Sequence, residues 1–212
     1  MNKILKLFIC FVAICFMSCS DKKQDLGIDV SHHNPLTDKD WKALKEKGVK
    51  FVFIKVSEGG TFKDPARNKH WNKAYKYKLH IGAYHFFRDD VPALKQYENY
   101  YNASESMMLD LLPCIDYEKA GFSKNISERQ RIKRLVELNN LFYNKSGIYP
   151  IIYCDLINYF KLKVFMPHNY YWITASSPSL GFGTIKQKLS KVNKKIIDLN
   201  YIKSIKEIEF NC

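Results

Sequence analysis

Short apolar runs alternate with longer segments whose apolar residues recur every three or four positions, and this alternation organises most of the chain. LGIDVSHH (26–33) precedes TDKDWKALKEKG (37–48), FVFIKVS (51–57) precedes DPARNKHWNKAYKYK (64–78), and HIGAYHFF (80–87) precedes DVPALKQYENYYNASE (90–105). LLPCIDYE (111–118) then precedes SERQRIKRLVELNNLFYNKSG (127–147), and PIIYCD (150–155) runs into DLINYFKLK. Five strand-then-helix units in series predict a parallel sheet with helical cover. Thr37 or Asp38 is placed to open the first helix and Gly48 to close it, while Ser127 with Glu128 and Gln130 opens the fourth. After Pro167 the pattern becomes YYWITAS, TIKQKLS and KKIIDLNYI, strand-like runs with no helix-length spacer. Eight strands are enough to close a barrel, in which functional groups gather at the carboxyl ends of the strands. An open doubly wound sheet is the competing architecture.

The beginning of the chain follows a different rule. In MNKILKLFICFVAICFMSC, Lys3 and Lys6 precede an apolar run from Leu7 to Met17, which has the form of a secretory signal and is too short for a spanning helix. Its Ser-Cys ending resembles the lipobox of bacterial lipoproteins, with Phe16 and Met17 departing from the usual residues. The expected organisation is a signal peptide over 1–18, a lipidated Cys19 and tether over 19–25, and one domain over 26–212. This implies an exported, membrane-anchored lipoprotein of the cell envelope, periplasmic or surface-facing, or otherwise a secreted protein.

The formal net charge is +13, and loss of residues 1–18 removes two lysines and no acid, leaving +11. The basic residues are scattered rather than gathered in one stripe, which argues against nucleic acid and suits an anionic polymer or surface. A lysine-rich solvated surface explains them equally well. Of six cysteines, Cys10 and Cys15 leave with the signal and Cys19 is the lipidation candidate, so Cys114, Cys154 and Cys212 remain. Cys114 and Cys154 sit in apolar runs and read as buried thiols, a disulfide between them staying open. His32 and His33 have no partners at ligand spacing, so neither metal nor cofactor is expected.

Chemistry enters with LLPCIDYE. On a strand, Asp116 and Glu118 share a face about 6.6 Å apart, at the end of an apolar run, so one charge raises the pKa of its neighbour. Glycoside hydrolysis needs such a pair: one acid protonates the leaving oxygen while an ionised partner supports the charge on the sugar. Glu118, with the longer arm, is the expected donor, and Asp116 the member expected to stay ionised. Asp29 and Asp198 end two further apolar runs.

The stretches GIDVSHHN, DW with KGVKFVFIKVSEG, KDP with Trp71 and Ala74, IGAYHFF, PCIDYE, YWITA and IIDLN stand in an order and spacing that resemble the glycoside hydrolase family 25 lysozymes, from about Gly27 to Tyr201. The resemblance implies a single-domain, TIM-like (β/α)5(β)3 barrel acting as a monomer on peptidoglycan glycan strands, an N-acetylmuramidase. It implies catalytic roles for Glu118, Asp116, Asp29 and Asp198. It further implies substrate contacts from Tyr84, Trp172, Gln187 and Lys55, with Lys55 and Glu58 also readable as a structural ion pair. The family's aromatic-rich W-Q-Y is here Lys186, Gln187 and Lys188, which puts substrate contacts on that wall in question. A barrel that binds wall glycan without cutting it, and a glycosidase for another N-acetylated glycan such as chitin-like oligomers, are the alternatives.

Overall fold

The computed structural model describes residues 24–174, 183–193 and 195–210; the expected signal peptide, Cys19 and Cys212 lie outside the described residues. The strands are β1 (Asp25–Val30), β2 (Val49–Glu58), β3 (Phe62–Lys63), β4 (His80–Phe86), β5 (Cys114–Asp116), β6 (Ile151–Cys154), β7 (Tyr171–Ile173), β8 (Ile185–Val192) and β9 (Lys195–Ile202). Eight of them close in the order β1-β2-β4-β5-β6-β7-β8-β9, with β9 returning to β1, and the two-residue β3 hangs on β2. The first strand begins at Asp25, one residue inside the expected tether.

The expected parallel sheet holds for seven strands. β9 runs antiparallel to both β8 and β1. The cause is local: β8 and β9 are joined by a tight turn between Val192 and Lys195, with Asn193 at φ +48°, and so short a link can connect only antiparallel strands. The missing helix-length spacer before KKIIDLNYI was the sign of this.

Five helices cover the barrel: α1 (Asp38–Glu46), α2 (Arg67–Lys76), α3 (Ala93–Ser104), α4 (Glu128–Ser146) and α5 (Leu156–Phe165). Thr37 caps α1 and Ser127 caps α4, each in a reciprocal capping box, with Asp40 and Gln130 as the returning side chains. Trp41 is buried with Leu44 between α1 and the barrel, whereas Trp71 is half-buried and donates its Nε1–H to Met108 O at 3.2 Å.

Inside the barrel the lower layer is apolar. Phe51 and Phe53 of β2, Ile151 of β6, Ile185 of β8 and Ile202 of β9 have no exposed surface. Gly27 and Gly82 on the flanking strands make room for the two rings: a Cβ on Gly27 would stand 2.2 Å from Phe51, and one on Gly82 2.4 Å from Phe53. Trp172 packs on Phe53 at 5.1 Å between ring centroids. The next residues up the same inward faces are polar, so the site rests on a closed hydrocarbon floor. Cys114 belongs to this inner layer and Cys154 to the outer one, and both are free thiols. The open possibility of a bond between them is thereby resolved, since they face opposite sides of the sheet.

Candidate active site

The run LLPCIDYE is only partly strand. Regular pairing covers Cys114–Asp116, because Pro113 has no N–H to give the ladder. Glu118 lies beyond the strand end, yet its backbone stays extended at φ −137°, ψ 163°, so it keeps the same side as Asp116. Tyr117 between them turns outward, packs on Phe87 and Phe122, and donates its N–H to Tyr153 O at 2.8 Å. Pinning Tyr117 in the outer core holds both acids inward.

Asp29, Asp116, Glu118 and Asp198 line one open cleft of about 270 Å³, with Tyr84, Tyr153 and Trp172 in its walls and Ser31, His33 and Asn34 at its rim. Asp198 arrives by a different route from that expected. Because β9 is reversed, the mouth meets its amino-terminal half, and Asp198 sits one residue beyond the Ile28–Leu199 pair, across from Asp29. Two expected substrate contacts stand one layer behind the cleft lining. Gln187 donates from Nε2 to Asp29 Oδ2 (3.2 Å) and accepts from the Tyr153 hydroxyl (3.1 Å). Lys55 is buried and paired with Glu58 at 2.8 Å, with its Nζ 4.5 Å from the centre of the Phe86 ring. Lys186 and Lys188 alternate with Gln187 along β8 and so occupy the opposite face of that strand. Tyr84 is hydrogen-bonded to Ser31, and Trp172 Nε1 finds no partner among the described residues.

Tyr153 and Asn200 were missed in the sequence. Tyr153 is legible in retrospect as the inward position of IIYC, in phase with Ile151. Asn200 follows Asp198 by two, and its Nδ2 donates to Asp29 Oδ2 at 2.9 Å.

Residues 28–177 match the profile of the glycosyl hydrolases family 25. The chain belongs to this family. Its fold matches the solved structure of a family 25 glycosyl hydrolase from Bacillus anthracis, with a TM-score of 0.73 and 28% identity over 88% of this chain and 92% of that one. It is 32% identical over 133 residues to an N,O-diacetylmuramidase of Arthroderma benhamiae, covering 60% of this chain and 56% of that protein. It is 28% identical over 138 residues to the uncharacterized protein YegX of Escherichia coli strain K12, covering 63% and 49%. The chain spans about half the length of the curated relatives it matches.

The electrostatics of this family 25 cleft differ from the simple expectation for the pair. Burial is the largest influence on every acid in it. It drives the Asp116 carboxyl well above the usual range, reinforced by Glu118 and opposed by Lys55. Glu118 is raised too, by burial and by Asp198, against the pull of Lys55. Asp116 was expected to remain ionised, whereas its burial and an Oδ1 without a partner among the described residues both act in favour of its neutral form. Asp29 is pushed up to about 7 by burial and then by the Asp198 charge, although Asn200 and Gln187 both donate to it. Among the described residues no group of three or more His, Cys, Asp or Glu side chains is arranged to hold a metal ion.

Proposed function

We propose that this chain is an exported muramidase that hydrolyses the β-1,4 bond between N-acetylmuramic acid and N-acetylglucosamine in peptidoglycan. The observation that carries this reading is the placement of Asp116 and Glu118 on one wall of an acid-lined cleft, both with raised pKa and with an Asp116 oxygen unpartnered among the described residues. An oxygen enclosed without a donor suits the N–H of a substrate acetamido group. That N–H stabilises the ionised form of Asp116, so substrate binding moves the pair's proton onto Glu118. Glu118 then protonates the glycosidic oxygen as the bond to the anomeric carbon breaks. The acetamido oxygen, aligned by Asp116, closes on the same carbon. A water molecule later gives its proton to Glu118 and opens the resulting ring, which restores the starting state.

Asp29 and Asp198 hold the sugar and shape the field around the developing positive charge. Asp29→Asn and Asp198→Asn are each expected to lower kcat/KM roughly tenfold, a change of about 1.4 kcal/mol in the barrier. That is well short of the effect of Glu118→Gln, and steady-state kinetics on soluble peptidoglycan fragments checks the ranking. Equal and complete inactivation by all three substitutions contradicts it.

Product analysis on purified peptidoglycan tests the whole reading. New reducing ends on muramic acid support it. Ends on glucosamine indicate that the other glycosidic bond of the strand is cut, cleavage of chitin-like oligomers alone indicates a different N-acetylated glycan, and binding without any new ends indicates a non-cutting barrel.

Export and anchoring rest on residues 1–19 alone. Cys19 is expected as the mature amino terminus carrying acyl chains, each buried CH2 contributing about 0.8 kcal/mol to membrane attachment. Mass spectrometry of the amino-terminal peptide from native membranes reads this directly, and Cys19→Ala releases the protein to the soluble fraction. An unmodified peptide starting elsewhere contradicts the anchor.

A further inference from the structure

Three rings stand in a row on the rim of the cleft, and the acid chemistry uses none of them. His33 borders the cleft; its ring centroid lies 3.8 Å from that of His32, which lies 5.7 Å from that of Phe62. The two histidines follow β1, and Phe62 stands on β3, opposite Glu58 of β2. The row therefore leads outward from the acids across the β1–β2 side of the mouth.

The middle ring is held firmly. His32 gives both its backbone N–H and its Nδ1 to Asp64 Oδ2, at 3.0 and 2.7 Å, and Asp64 is fully buried. The other Asp64 oxygen accepts from Ala66 N–H at 2.9 Å, so the carboxylate cannot turn away. With Nδ1 engaged by Asp64, Nε2 is the polar ring atom left to meet a ligand. The outer ring is open, Phe62 being 41% exposed, and His33 is exposed as well. A solvent-facing row of rings, tilted by 42° and 58° from one to the next with the middle ring tethered, that begins at an acid-lined cleft has the form of a binding surface rather than of core.

We infer that His33, His32 and Phe62 form a remote sugar subsite, which receives an N-acetylhexosamine ring of the same glycan strand whose nearer rings occupy the acid cleft. This inference rests on the proposed glycan-cleaving function. The chemistry follows from the shape of a β-linked pyranose. Its flat face presents C–H groups of slight positive character, which pack on the negative face of an aromatic ring, while its edge hydroxyls need donors and acceptors. Phe62 supplies the face and His32 Nε2 a hydrogen-bonding atom at the edge. Lys55 Nζ lies 5.8 Å from the centre of the Phe62 ring, so the platform borders the Lys55–Glu58 ion pair.

The test uses Phe62→Ala and Phe62→Tyr in the full chain, with glycan fragments of graded length. For octasaccharides, Phe62→Ala is expected to raise KM about five- to tenfold more than for disaccharides, the size expected from uncovering one sugar face. Phe62→Tyr, which restores a ring, is expected to return the long-strand KM to within about twofold of the original. A KM change independent of fragment length, or no recovery with tyrosine, overturns the platform. A second arm measures calorimetric binding of N-acetylglucosamine oligomers to Glu118→Gln protein with and without Phe62→Ala. If the original protein cuts no peptidoglycan, the proposed function fails by itself, and this arm still decides the platform. A length-dependent loss of affinity upholds the platform, and equal affinity for long and short oligomers in both proteins removes it.

Discussion

Glu118→Gln is expected to leave a folded protein that binds glycan strands and turns them over at least about 100-fold more slowly, the usual worth of a positioned general acid. Glu118 is the acid beyond the end of β5, on extended backbone at the cleft wall, and among the described residues no hydrogen bond ties its carboxyl to the fold. Its amide replacement keeps the shape and carries no transferable proton, so the first step loses its acid and the last step its base. Binding is spared because the walls made by Tyr84, Tyr153 and Trp172 are untouched. Comparing kcat with the affinity of the variant for soluble fragments separates the two effects. A variant with near-normal kcat would mean that the proton comes from another group in the cleft.

Asp116→Asn is expected to have two opposite effects. Turnover falls by at least about 100-fold, because the acetamido group loses the carboxylate that aligns and charges it. Stability rises at neutral and alkaline pH. The Asp116 carboxyl is held well above its ordinary 3.8 in the folded protein, so the folded form binds a proton that the unfolded form has released. Stability from this group is fully present below the unfolded value and is lost as pH climbs through the folded one. An asparagine needs no proton and escapes that loss, so Tm is expected to exceed that of the original protein by about 2–6 °C at pH 8 and to converge with it below pH 4. In residual activity, the alkaline limb moves to lower pH, because Glu118 no longer ionises beside a second carboxylate. Melting curves at both pH values and a kcat/KM profile read all three. A variant less stable than its parent at pH 8 contradicts the assignment of Asp116 as a strained, enclosed acid.

Much of this was legible in the residues. The alternation of apolar runs with helix-patterned segments placed all five helices and eight barrel strands, since burial against a closed sheet imposes those periods. Asp116 and Glu118 were found because spacing of two survives even where the ladder stops. The direction of β9 was harder to see, because alternation is the same read forwards or backwards; only the turn at Asn193 settles it. Lys55 and Gln187 were expected as substrate contacts, and their place behind the cleft lining was not legible, since inward position in a strand does not say how deep a side chain ends. Proton placement within the pair was likewise beyond the sequence. It depends on how completely each carboxyl is enclosed, and that is set by side chains from the other strands around the cleft.

The floor made by Phe51 and Phe53 has a consequence for traffic through the site. A barrel plugged from below is a vessel with one door. On the proposed function, the strand to be cut, the water that completes the cut and the severed end all pass through the same opening. Until the departing sugar clears it, the reactive sugar left behind meets little solvent, and any other hydroxyl that enters first competes with water for it. The two glycines that make room for those rings therefore help to decide in what order molecules reach the anomeric carbon, although both lie in the layer beneath the acids.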